Sequence, residues 1–109
     1  MMAVIEFNVS ITPRETFDIL NDDIDADLVY KEFKNVDKEK EFAVLVFEKY
    51  YFRSENRAAL TVIIDNFDGV TSVRSIAAGS SQGFLFNFDW GAADNFAESI
   101  RKKLEQYII

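Results

Sequence analysis

Four consecutive strand patterns, at residues 27–36, 41–52, 57–67 and 70–78, limit the folds open to this chain. Each run is rich in β-branched and aromatic residues. The segments between the runs are short turns, one of which contains the pair Asp-Gly that favours tight hairpins. Strands joined by such short turns run antiparallel. The sequence therefore predicts an antiparallel meander.

A strand and a short helix precede the meander. Residues 2–9 (MAVIEFNV) alternate apolar and polar side chains at period two, which is typical of a strand with one buried face. Thr12 suits the N-cap of a helix and Pro13 suits its first position. Glu15 follows Thr12 by three residues and completes a capping box. We therefore expect a short helix directly after the first strand.

The chain ends in a second helical pattern. Apolar residues recur there at steps of three and four, and charged residues take the opposite face. The apolar positions are Ala93, Phe96, Ala97, Ile100, Leu104, Tyr107 and Ile108. This stripe predicts a long C-terminal helix that packs on the sheet.

The segment before this helix has two interpretations. Phe84, Phe86, Phe88 and Trp90 alternate with other residues, which predicts a short sixth strand. In the other interpretation Asp89 caps a helix that starts at Trp90, and residues 84–90 are partly or wholly a loop. The pattern leaves both interpretations open.

Together these patterns give the order β-α-β-β-β-β-α. A chain of 109 residues has the size of one domain, so we expect residues 1–109 to form a single α+β domain. Both helices need a sheet face on which to bury their apolar stripes. The predicted fold class is therefore a two-layer α+β sandwich, in which an antiparallel meander carries a long C-terminal helix.

The chain contains no His and no Cys, which limits the catalysis it can perform. Residues 79–83 (GSSQG) match the G-x-S-x-G pattern around the nucleophile of serine hydrolases. That nucleophile, here Ser81, normally needs a His to remove its proton. The sequence after Ser81 also alternates like a strand instead of opening a helix. We therefore expect no catalytic residue and no enzymatic activity, and we interpret GSSQG as a loop.

Metal and cofactor sites are not expected either. Asp23, Asp25 and Asp27 resemble the start of a calcium-binding loop, which then requires Gly at its sixth position and Glu at its twelfth. Those positions hold Leu28 and Lys34. Glycine-rich nucleotide-binding motifs are also absent from the sequence.

The charge of the chain bears on its partners. The net charge is −7 at pH 7, and such a chain repels phosphate backbones, so we expect no nucleic-acid partner. No apolar run in the sequence approaches the length of a membrane span, and the first residues lack the pattern of a signal peptide. We therefore expect a cytoplasmic protein.

Aromatic residues make up 15% of the chain and suggest a binding site. In this hypothesis they line a cavity between the sheet and the C-terminal helix, which holds a small apolar or amphiphilic ligand such as a fatty acid. Basic residues such as Lys49, Arg53 and Arg57 lie nearby in the sequence, and an arginine at the pocket mouth would then bind a carboxylate or phosphate of the ligand. The candidate ligand-binding residues are Tyr51, Arg53, Arg57, Phe86, Phe88, Trp90 and Phe96.

The alternative hypothesis is a structural homodimer whose aromatic core is filled and which binds no ligand. The third and fourth strands carry apolar residues on both faces, such as Val44 beside Leu45 and Ile63 beside Ile64. One of these faces would be exposed in a monomer, and a symmetric dimer would cover it. From the residues alone, the function is that of a binding or interaction module with an unknown partner.

Three blocks of the sequence carry a resemblance to a known family. VFEKYYFRSENRAALTVIIDN, GSSQG and NFDWGAADNF resemble a family of small proteins of unknown function from Gram-positive bacteria, and this resemblance implies no activity. The opening AVIEFNVSITPRETFDIL is similar to the first strand and helix of helix-grip (START-like) ligand-binding proteins. The whole element order is also similar to the TATA-binding-protein-like fold. These looser similarities imply a fold and not a function.

Overall fold

The computed structural model describes residues 2–51, 56–79 and 90–109. Five strands and two α-helices follow one another in the predicted order. They are β1 (Met2–Val9), α1 (Pro13–Leu20), β2 (Asp27–Asp37), β3 (Lys40–Tyr51), β4 (Asn56–Asp65), β5 (Thr71–Gly79) and α2 (Trp90–Lys103), and a 3-10 turn at Glu105–Tyr107 follows α2.

The strands form one antiparallel sheet in the order β1-β5-β4-β3-β2. Strands β2 to β5 are a meander, as predicted, because each pairs with the next along the chain. The first strand departs from a strict meander, since it pairs with β5 instead of β2. Helix α1 carries the chain from one edge of the sheet to the other, where β2 starts.

Both helices cover the same face of this sheet, so the two-layer arrangement forms. Helix α2 contacts β1 and β5, and α1 contacts β3 and β4. The side chains of this covered face alternate along β1, β3, β4 and β5 and form the core, which includes Leu45, Phe47, Leu60, Val62 and Val73, whereas β2 adds only the partly buried Phe33. Strand β4 lies at the centre of the sheet.

The C-terminal helix is shorter than the sequence predicts. Helix α2 has 14 residues and ends at Lys103. The apolar pattern continues to Ile108, but that residue forms an antiparallel bridge with Val9 of β1. The Ser10 N–H also donates to the Tyr107 carbonyl at 2.8 Å. The chain leaves the helix because these last residues satisfy the backbone groups of Asn8 and Ser10, at the end of the outer edge of β1.

Helix α2 begins at Trp90, as one of the two interpretations of the preceding segment predicts. The other interpretation, a sixth strand, falls on residues 84–89, which lie outside the described residues. The helix is fixed to the sheet through a buried hydrogen bond, in which the Ser75 hydroxyl of β5 donates to the Ala97 carbonyl at 3.0 Å. This bond sets the position of the residues that follow Ala97 in α2.

The predicted capping box at the start of α1 is confirmed. The Glu15 N–H donates to the Thr12 hydroxyl at 3.0 Å, and the Thr12 N–H donates to the Glu15 carboxylate at 2.9 Å. Pro13 occupies the first helical position. The reciprocal bonds satisfy two backbone donors of the first turn that no helical carbonyl reaches.

Replacing Thr12 with Ala should therefore lower the free energy of unfolding by about 1 kcal/mol, within the range of 0.5–2 kcal/mol found for such caps. Chemical denaturation followed by circular dichroism measures this change. Thr12→Ser is the control, since it keeps the hydroxyl and should retain most of the stability. An equal loss in both variants would show that the methyl group of Thr12, and not its hydrogen bond, stabilises α1.

Candidate functional site

A cleft opens between the end of β3, helix α2 and the loop that joins α1 to β2. It has a volume of about 300 Å³, at the lower end of the range of small-molecule sites. We call it the sheet–helix cleft. Its lining residues are Asp25, Lys49, Tyr51, Asn95, Phe96 and Ser99.

Two aromatic rings form the apolar wall of the sheet–helix cleft. Tyr51 continues the alternation of β3 that puts Phe47 in the core, so its side chain lies on the helix side of the sheet. The Tyr51 and Phe96 rings meet edge to face, with centroids 6.0 Å apart. Phe96 is buried in the core and Tyr51 is partly buried against it. The wall is therefore continuous with the core.

The polar side of the cleft is an ion pair. The Lys49 ammonium lies 3.2 Å from a carboxylate oxygen of Asp25 and 5.6 Å from the centroid of the Tyr51 ring. The loop that carries Asp25 is held to α2 by Asp23, whose carboxylate lies 3.0 Å from the Lys103 ammonium. Asp23 has a left-handed backbone, with φ of 62°. The cleft thus places a cation beside an aromatic wall.

The electrostatics of the cleft keep the Tyr51 phenol neutral. Burial raises the pKa of Tyr51 above its ordinary value of 10.0, and the negative charge of Asp25 raises this pKa further. Both causes disfavour the phenolate. The Tyr51 hydroxyl is protonated at neutral pH, as in any ordinary tyrosine, and the raised pKa extends the neutral form to higher pH.

Helix α2 contributes the remaining lining of the cleft. Phe96 and Ser99 lie three residues apart and thus on neighbouring positions of one helix face. The Ser99 hydroxyl donates to the Phe96 carbonyl at 2.6 Å. Asn95 is exposed at the cleft mouth. This helix face is mixed in polarity, unlike the apolar face of Ala97 and Ile100 that packs on the sheet.

The structure brings together two of the predicted site residues, Tyr51 and Phe96, and places a third elsewhere. Arg57 lies on the opposite face of the sheet, where its guanidinium is 3.0 Å from the Glu48 carboxylate and 5.8 Å from the Tyr50 ring centroid. It does not line the cleft. The correction follows from the register, which pairs Arg57 with Tyr50 and not with a residue of the covered face.

Four predicted site residues lack a side-chain description. Trp90 is the first residue of α2. Arg53, Phe86 and Phe88 lie outside the described residues, as does Ser81 of the GSSQG segment. Their assignment to a site stays a prediction.

Three lining residues, Asp25, Asn95 and Ser99, were not predicted from the sequence, and Lys49 was predicted only as a neighbouring charge. The sequence could have placed Lys49 in the site, because it lies two residues before Tyr51 on a strand and therefore projects from the same face of the sheet. The sequence indicates Asn95 and Ser99 less directly, since it shows only that they lie near Phe96 on the same helix. Nothing in the local sequence signals Asp25, which reaches Lys49 from a distant loop.

The described residues contain neither a metal-binding cluster nor a membrane-spanning helix. Within residues 2–51, 56–79 and 90–109, no group of three or more acidic side chains is arranged to hold a metal ion. Asp23 and Asp25, part of the calcium-like sequence, contact lysines instead. In the same residues, neither helix combines the length and the apolar character that a membrane crossing requires.

The sheet face opposite the helices, which we call the open face, is a second surface of interest. Its central cross-strand row is largely apolar and consists of Val4, Ile76, Thr61, Val46 and Tyr30, one residue from each strand. Val4 is 54% exposed and Tyr30 is 52% exposed. Val44 and Ile63 form the middle of the next row, and both described helices lie on the other side of the sheet.

Comparisons with known proteins identify a family and no activity. No curated protein and no solved structure matches the chain. A family model matches residues 2–108, almost the whole chain and all seven helices and strands of the described fold. The chain therefore belongs to the family of unknown function DUF6054.

Proposed function

We propose that this protein binds a small amphiphilic molecule in the sheet–helix cleft. The observation that supports the proposal is the pairing of Tyr51 and Phe96 beside the Lys49 ammonium. An apolar wall with a few polar groups is the usual composition of a small-molecule site. Because such binding needs no covalent chemistry, we further propose that the protein has no catalytic role. We also propose that it acts in the cytoplasm.

The size of the cleft limits the ligand. A volume of about 300 Å³ suits a medium-length alkyl chain or a single aromatic ring better than a long fatty acid. The location is also favourable, because the cleft lies at the junction of a sheet and its last helix.

The proposal predicts that a medium-chain amphiphile stabilises the folded protein. At a free ligand concentration of 100 times Kd, binding should raise the free energy of unfolding by about 2.7 kcal/mol. Thermal denaturation in the presence of octanoate or octan-1-ol, below micellar concentrations, measures this effect. The emission of Trp90, the only tryptophan of the chain, should change saturably in the same titrations.

A pair of variants tests whether such binding occurs in the cleft. Asn95→Phe puts a large ring at the cleft mouth and should abolish the stabilisation by ligand. Gln106→Phe makes the same change from amide to ring at an exposed position outside the cleft, and should leave binding intact. Equal responses of both variants, or no saturable response of the unmodified protein to either ligand, would contradict the proposal.

A second candidate function is self-association through the open face. The apolar central row from Val4 to Tyr30 supports it. Strand spacing of about 4.8 Å and a rise of about 3.4 Å per residue give five strands of eight residues a face of roughly 650 Å². This approaches the ~800 Å² per partner of a standard interface. We propose a second copy of the chain as the partner, because an exposed sheet face can pack on the same face of a second copy about a two-fold axis.

A further inference from the structure

We propose that the ligand of the sheet–helix cleft carries a carboxylate, and that this carboxylate replaces Asp25 as the partner of Lys49. The inference rests on the proposed function and specifies the chemical class of its ligand. The Lys49 ammonium of the cleft is paired with the carboxylate of Asp25, whose side chain is fully exposed to solvent.

The two partners of this ion pair differ in burial. The Asp25 side chain is 100% exposed, whereas that of Lys49 is 34% exposed. A pair with a fully solvated carboxylate contributes little to stability, because water screens the attraction. Asp25 can therefore leave Lys49 at small cost. Lys49 itself stays in place, since it projects from a strand and lies over the Tyr51 ring.

A ligand carboxylate would gain more from Lys49 than Asp25 does. Its apolar portion would lie against Tyr51 and Phe96 and exclude water from one side of the ion pair. Charge-assisted hydrogen bonds strengthen in such an environment. A neutral head group would gain less, because its hydrogen bond to the Lys49 ammonium lacks the attraction between opposite charges. Asp25 therefore occupies the ligand's place in the free protein and competes with the ligand for Lys49.

The test compares octanoate with octan-1-ol, two ligands that have the same chain length and differ in the head group. Affinities are measured by isothermal titration calorimetry on the full chain. We expect the unmodified protein to bind octanoate at least about 10-fold more tightly than octan-1-ol, as charge-assisted bonds are stronger than neutral ones. Lys49→Met should remove this preference, and Lys49→Arg should retain most of it. Asp25→Asn removes the competitor and should tighten octanoate binding roughly 2- to 5-fold.

Lys102→Met is the matched control, since it removes an exposed lysine that does not line the cleft and should leave the octanoate preference unchanged. Melting temperatures of all variants exclude loss of folding as the cause of lost binding. Equal affinity of the two ligands, unchanged by Lys49→Met, would overturn the carboxylate assignment and leave the cleft as a binding site. Absence of binding by both ligands would overturn the proposed function and this inference together.

Discussion

Phe47→Ala should lower the free energy of unfolding by about 3–5 kcal/mol. Phe47 is among the largest fully buried side chains, with 2% of its surface exposed. It projects from β3 on the covered face, and its partner on β4 is the fully buried Leu60. Truncation would remove the apolar contacts of the ring and leave a cavity that a regular antiparallel sheet cannot close. Urea denaturation followed by circular dichroism measures the loss.

Phe67→Ala makes the same chemical change at a turn position that is 47% exposed. The Phe67 ring stacks on Phe42 at 6.2 Å, a pair worth no more than about 1.5 kcal/mol beyond its buried area. The Phe67 variant should therefore lose far less stability than the Phe47 variant. Similar losses in the two variants would mean that the covered face is not the core of the protein.

The strand boundaries and the burial pattern were predictable because they depend on local periodicity. Alternation at period two in residues 2–9 gives β1 its bounds, Met2–Val9. The same alternation separates Leu45 from Val44 and Ile64 from Ile63, so that one member of each pair lies in the core. Short turns then determine which of β2 to β5 are neighbours.

The position of β1 and the end of α2 were not predictable, because both depend on a sheet edge. Alternation in β1 indicates that one face is buried, but not which edge strand it joins. The stripe through Tyr107 and Ile108 fits a helix equally well, and local sequence carries no sign of the bridge between Ile108 and Val9. The backbone bridge between Val9 and Ile108 forms in place of a further helical turn.

The candidate site was predictable where it depends only on which face of a strand or helix a residue occupies. The position of Tyr51 and Phe96 in one cleft was predictable because each continues an apolar pattern on its own element, and their role in binding stays a prediction. Arg57 was misplaced because its face depends on the register of the β3–β4 hairpin, which pairs it with Tyr50. Asp25 was missed because a loop brings it to Lys49 from 24 positions away in the chain.

A charge on the open face should dissociate the proposed dimer. Ile76→Lys places an ammonium within the central row, between Val4 and Thr61. In a symmetric dimer the change occurs twice, and both charges must leave water or meet each other. Such a penalty amounts to several kcal/mol. The dissociation constant should therefore rise by at least about 100-fold, which corresponds to about 2.7 kcal/mol.

Sedimentation equilibrium over a series of micromolar concentrations measures the dissociation constant, and the fold of each variant is checked by circular dichroism. Ile109→Lys is the matched control, because Ile109 is 71% exposed and belongs to the C-terminal tail beside β1, outside the open face. It should leave the dimer intact. If the unmodified chain sediments as a monomer throughout, the open face does not pair with a second copy. If Ile109→Lys dissociates the dimer and Ile76→Lys does not, the interface lies at the β1 edge, where a strand of the partner would extend the sheet.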